Sequence, residues 1–215
     1  MRFDYYASLS ARDKAVYDRS DRLPDISLPA SAELSSAVTT VREALAEEKL
    51  DVVQRTMTRL SRLVCTTLKA APLEIKVKAK RPIRSDGEYY GLYEHKRGSA
   101  ATLTLWMRTA RQKRVVTFKT FLRTFAHELC HHLDFDLYRS KDSFHTQGFF
   151  RRESSLYRSL LPADQPARHG PKQAKAARPK EPAQPAPKTK PLAVPRTRTK
   201  PAPKQTELPF TDRQG

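Results

Sequence analysis

Apolar side chains recur at helical spacing in four places along this chain. Leu34, Val38, Val41 and Leu45 form one stripe after a Pro-Ala-Ser start. Val53, Met57, Leu60 and Val64 form a second after Asp51, which reads as an N-cap. Counted at 3.6 residues per turn, the two stripes differ in phase by roughly 100°. A break near Glu48–Asp51 therefore brings both onto one core. Phe118, Phe121, Leu122, Phe125, Leu129 and Leu133 mark a helix from about Thr117 to Leu137. Phe149, Leu156, Tyr157 and Leu160 mark another from about Thr146 to Leu161.

Between the two helical pairs the period changes to two. Residues 73–79 (LEIKVKA) alternate as a strand does. GEYYGLYEHKRGSAATLTLWM reads as a hairpin, with strands near 88–95 and 101–107 around a Lys-Arg-Gly-Ser turn. Two helices, three strands and two more helices, without βαβ repetition, predict a small α+β domain over residues 31–161. Residues 1–30 read as an N-terminal arm: a short helix after Ser10, then an extended DRLPDISLP segment.

Composition changes the picture beyond Pro162. From there to Gly215 lie 12 of the 16 prolines and 12 Lys/Arg against four Asp/Glu, with few large apolar side chains. Such a segment buries too little surface to offset its chain entropy, so 162–215 is expected to be a disordered, basic tail. The whole chain carries a formal charge of +18, and residues 1–161 alone hold 29 Lys/Arg against 19 Asp/Glu. That excess favours an acidic partner, above all a phosphate backbone. Two distant cysteines, Cys65 and Cys130, exclude a disulfide framework and a Cys-rich zinc ribbon. No apolar run approaches a membrane span and the N-terminus has no h-region, so a cytoplasmic protein is expected.

Candidate chemistry concentrates in residues 123–150, which hold four of the six histidines. On the helical wheel His127 and His131 lie about 180° from the centre of the apolar stripe, whereas His132 falls on it. His132 therefore reads as a core residue or one behind the ligands. His127 and His131 form His-Glu-x-x-His, two imidazoles one turn apart that can clasp one Zn²⁺. Glu128, between them, is placed to take a proton from a metal-bound water. Zinc then needs a third protein ligand, and two candidates lie downstream. His145 opens the last helix; Glu153, two turns on, falls inside that helix's apolar stripe and needs a partner there. Glu153 is either that third ligand or a carboxylate that orients an imidazole or pairs with an arginine such as Arg123. His145 has the better claim, because a helix-opening imidazole requires no buried charge.

The strands, then TFLRTFAHELCHH, then a short spacer and HTQGF, resemble the SprT-like metallopeptidases. In that family HExxH lies on one helix and a third zinc histidine starts the next, commonly followed by Gly and by an aromatic four residues on. His127, Glu128, His131, His145 and Phe149 fit position by position. Thr146 stands where Gly is usual, and the Cys-rich zinc module of many bacterial members has no counterpart. The likeness spans residues 33–161 in organisation and is specific over 118–160. It implies a zincin-like fold and a peptidase with ligands His127, His131 and His145. It also implies a water whose pKa zinc lowers from about 15.7 towards about 7, with Glu128 as the base. An extended protein substrate is expected to pair along an edge near Ala101–Met107.

Basic clusters flank this region: Arg108, Arg111, Lys113 and Arg114 before the metal helix, Arg151 and Arg152 after His145. They are candidate non-specific DNA contacts, with Tyr89, Tyr90 and Tyr93 as residues that either stack on bases or pack in the sheet. In the tail, QTELPF places Gln205, Leu208 and Phe210 at positions 1, 4 and 6 of a hexapeptide. That pattern resembles the peptide by which bacterial replication and repair proteins bind the sliding clamp. Eukaryotic SprT-like enzymes likewise reach DNA through a clamp-binding peptide and digest proteins crosslinked to it, so the analogy points to DNA repair. The rival expectations are a metal-dependent nuclease and a non-enzymatic clamp or DNA adaptor with a structural zinc. Glu128 directly after the first ligand disfavours the nuclease, and Glu128 together with a three-ligand site disfavours the adaptor.

Overall fold

A computed structural model of the protein describes residues 2–82, 90–95, 99–110 and 112–161. A 3-10 turn, Asp4–Ser8, leads into α1 (Ala11–Arg22), α2 (Ala32–Ala46) and α3 (Leu50–Leu68). The strands β1 (Leu73–Lys80), β2 (Gly91–Glu94) and β3 (Ala101–Arg108) follow, then α4 (Phe118–Asp136) and α5 (Gln147–Leu160). The class is α+β, as the pattern predicts. Arg111, Tyr89 and the tail with Gln205, Leu208 and Phe210 lie outside the described residues, as do 96–98 of the expected turn.

Among the described residues, four of the five α-helices begin at a hydroxyl cap. Ser10, Ser31, Thr117 and Thr146 each accept a hydrogen bond from the backbone N–H three residues on, satisfying a donor the helix itself cannot. The exception corrects an expectation: Asp51 is not a cap. The chain turns at Glu48, whose φ is 59°, and α3 starts at Leu50, so Asp51 falls in its first turn. There its carboxylate faces the positive end of the helix dipole and pairs with Arg55 at 3.0 Å. The break between α2 and α3 still does what their phase difference requires: Leu34, Val38, Val41, Leu45, Val53, Met57, Leu60 and Val64 are all buried in one core.

The sheet order is β1-β3-β2, with β3 parallel to β1 and antiparallel to β2. Strand Ala101–Arg108 is thus central, with both sides already paired, which corrects the expectation of a free edge near Ala101–Met107. Among the described strands the edge beside α4 belongs to β2. In β1, Leu73, Ile75 and Val77 face the core while Glu74, Lys76 and Lys78 face out, the alternation of a half-covered sheet. Helix α3 packs on β1, α4 on β2 and β3, and α5 on α4.

The N-terminal region is more than an arm. Helix α1 packs against α5, Tyr17 is fully buried, and Ile26 and Leu28 of the extended segment join the core. Among the described residues, no helix is long and apolar enough to cross a membrane.

Candidate metal centre

Helix α4 is covered on both sides. Its apolar stripe, Phe121, Leu122, Phe125, Leu129 and Leu133, is buried against the sheet and α2–α3 core. The opposite face presents His127 and His131, half-buried, to the loop after α4 and the start of α5. That loop delivers His145, one residue before the Thr146 cap. Nε2 of His145 lies 3.0 Å from Nε2 of His127 and 3.1 Å from Nε2 of His131. Phe149, fully buried, forms the floor: its ring centre is 5.1, 4.7 and 5.1 Å from those of His127, His131 and His145.

The arrangement can hold a metal ion, since three donor nitrogens converge within ligand range of one point. Their other ring nitrogens support the same reading. His127 Nδ1 lies 3.1 Å from Glu153 Oε2, and His131 Nδ1 lies 2.8 Å from Ser143 Oγ. A partner at Nδ1 leaves the Nε2 lone pair directed at the centre. Burial, and then the neighbouring His127, push the His145 pKa down to about 4; burial with His127 and His145 drives that of His131 well below its ordinary value. Both imidazoles are therefore neutral at pH 7, the state in which they ligate a cation.

Glu153 has its place resolved between the two alternatives. It accepts from Arg123 Nε at 2.8 Å through Oε1 while Oε2 faces His127. Burial raises its pKa, but the bonds from His127 and Arg123 outweigh that and leave it lowered. It orients an imidazole and pairs with an arginine, and it is not part of the converging set. His132 is also outside that set: its Nε2 contacts the Ala71 carbonyl at 2.9 Å and its Nδ1 the Tyr93 hydroxyl at 3.3 Å. The contact with Ala71 ties the segment just before β1 to α4.

Glu128 follows His127 on α4 and points towards β2. Burial pushes its carboxyl up to about 7, while His127 and a hydrogen bond from the Tyr93 backbone N–H pull it down. A carboxyl near neutrality can both take and return a proton. Gly91 makes room for it: a Cβ there would stand 2.6 Å from Glu128 Cγ and 2.7 Å from Oε1.

The basic clusters separate on inspection. Lys113 and Arg114 are exposed, but Arg108 is engaged with Glu48, and Arg151 pairs with Asp25 at 2.5 Å. Arg152 must be withdrawn as a DNA contact, because it is fully buried and bonded to Asp134 at 2.7 Å. Tyr93 is half-buried beside His131 and Phe135, whereas Tyr90 is 58% exposed under Arg81. Among the described residues, Gly91, Asp134 and Ser143 escaped the sequence reading. Only Gly91 carried a signal, as an isolated glycine in a strand pattern, which marks close approach of another group.

Comparison of the chain with protein-family models, curated proteins and solved structures finds no match.

Proposed function

We propose that the protein is a zinc-dependent peptidase of the SprT-like kind, cytoplasmic and nucleoid-associated, acting on proteins bound or crosslinked to DNA. The observation that carries this reading is the meeting of His127, His131 and His145 through their Nε2 atoms, with Glu128 one residue from the first of them. Three imidazoles and no thiolate make the donor set of a catalytic rather than a structural zinc site, which usually closes with four protein ligands. When bound, Zn²⁺ supplies a Lewis acid that brings the pKa of a water close to about 7. The chain's own part is distinct. His127 and His131 are held at fixed orientation by Glu153 and Ser143. Glu128 accepts a proton at its carboxylate and returns it to the leaving amine, a role for which a carboxyl raised to about 7 is suited. The exposed Lys113 and Arg114, with the overall charge of +18, favour substrates carried on nucleic acid.

The test combines metal content with cleavage of a DNA-bound protein, with and without DNA. About one Zn²⁺ per chain is expected, lost in His127→Ala, His131→Ala and His145→Ala but kept in His132→Ala. Glu128→Gln retains zinc and lowers proteolysis by on the order of 10²–10⁴. Metal-dependent cutting of DNA or RNA without proteolysis would move the protein to the nuclease reading.

A further inference from the structure

A buried polar chain runs from His131 to the N-terminal helix. Ser143 Oγ, 2.8 Å from His131 Nδ1, donates to Asp134 Oδ2 at 2.7 Å. Asp134 Oδ1 accepts from Arg152 Nη2 at 2.7 Å. The same guanidinium bonds the Ser20 carbonyl at 2.7 Å and the Ser20 hydroxyl at 3.0 Å. Ser20 Oγ then lies 3.2 Å from Thr146 Oγ1, the cap of α5 and the residue next to His145. Ser20, Asp134, Ser143, Thr146 and Arg152 are all buried. Two further bonds attach the N-terminal segment to the first turn of α5 and to the third histidine. Asp21 Oδ1 accepts from Gly148 N at 2.7 Å, and the Tyr5 hydroxyl donates to the His145 carbonyl at 2.8 Å.

An ion pair this deeply buried contributes little net stability over an apolar pair of the same shape. Its geometry is informative instead. The single Ser143 proton is committed to Asp134, an acceptor, so Ser143 Oγ receives the Nδ1–H of His131. That leaves His131 Nε2 without a proton and aimed at the other two histidines. One turn of α1 therefore anchors both His131, through Ser143 and Asp134, and the strand of chain that carries His145.

We propose that Ser143 and Asp134, anchored through Arg152 to Ser20 of α1, are positioning residues that lock His131 as its Nδ1–H tautomer and set its spacing to His145. The inference rests on the metal-centre reading above, and it makes the N-terminal helix part of the site.

Ser143→Ala is the decisive variant, since it removes the acceptor and leaves the Asp134–Arg152 pair intact. Two readouts apply: ¹⁵N chemical shifts of labelled imidazoles in the metal-free protein, and Zn²⁺ affinity by competition with a chromophoric chelator. In the parent protein His131 should show a single Nδ1–H tautomer. In Ser143→Ala that preference should be lost and Zn²⁺ affinity should fall by roughly 10–100-fold, the usual cost of removing a group behind a ligand. Affinity and tautomer both unchanged in Ser143→Ala would overturn the proposal. So would an Nε2–H tautomer, or a mixture, in the parent, a result that needs no variant to fold. Failure of the parent to bind Zn²⁺ would sink the metalloenzyme reading separately, and the imidazole shifts would still decide the role of Ser143.

Discussion

Gly91 shows how much a single position in an edge strand can constrain. A methyl group there would meet Glu128 Cγ at 2.6 Å and Thr124 Cγ2 at 2.7 Å, both well inside van der Waals contact. The three nearest atoms belong to Glu128 and Thr124, not to any of the three histidines. Gly91→Ala should therefore displace the Glu128 carboxylate while zinc content stays at the parent value. Misplacement of a reacting group by about 1 Å can cost on the order of 10²-fold, so kcat should fall to that extent. Full activity in Gly91→Ala would mean that Glu128 does not work from this position. The same residue marks where reading a sequence succeeds and fails at this scale. His127 and His131 could be assigned because a helical wheel separates them from Leu129 and Leu133, and His145 because an imidazole opening the next helix requires no buried charge. Ser143 and Asp134 could not: a serine in a loop and an aspartate near a helix end look like ordinary solvated residues. Their roles exist only through tertiary contacts.

Elements were legible where their signals are local. Hydroxyl caps at Ser31, Thr117 and Thr146, together with apolar spacing, place α2, α4 and α5 closely. Strand order was not legible, because β1 joins the hairpin by pairing with its second strand rather than its first, a choice that no local pattern encodes. The role of α1 was equally hidden, since it docks on α5 through Ser20 and Asp21 rather than through an apolar stripe. Gly148 is the point of closest approach in that docking. A Cβ there would lie 2.4 Å from the Ser20 carbonyl oxygen and 2.6 Å from Asp21 Cα, and backbone atoms of a helix cannot move aside singly. Gly148→Ala is expected to lower unfolding free energy by about 1–3 kcal/mol, the usual range for overpacking. Amide exchange should show protection lost first over residues 11–22. Unchanged protection there would contradict the contact between α1 and α5.

At the scale of the whole molecule the issue is how the centre reaches its substrates. With Arg152 withdrawn, DNA binding of the proposed kind would fall to exposed side chains such as Lys113 and Arg114 and to the basic tail sequence. Contacts of that kind neutralise phosphates and release counterions, so DNA affinity should fall steeply with salt and show no sequence preference. The QTELPF segment calls for different behaviour. Its contacts would be burial of Leu208 and Phe210 with one amide hydrogen bond from Gln205, none of which salt weakens appreciably. Ordering a short peptide on binding carries an entropic cost, which sets the expected affinity for a sliding clamp in the micromolar range rather than the nanomolar. Replacing Gln205, Leu208 and Phe210 with Ala should abolish clamp binding while zinc content and peptidase activity on an unattached substrate stay at parental values. Calorimetry with a synthetic 201–215 peptide is the direct measurement. No heat at concentrations well above micromolar would remove the clamp from the account. The peptidase reading would stand, because it rests on His127, Glu128, His131 and His145, about sixty or more positions before that segment.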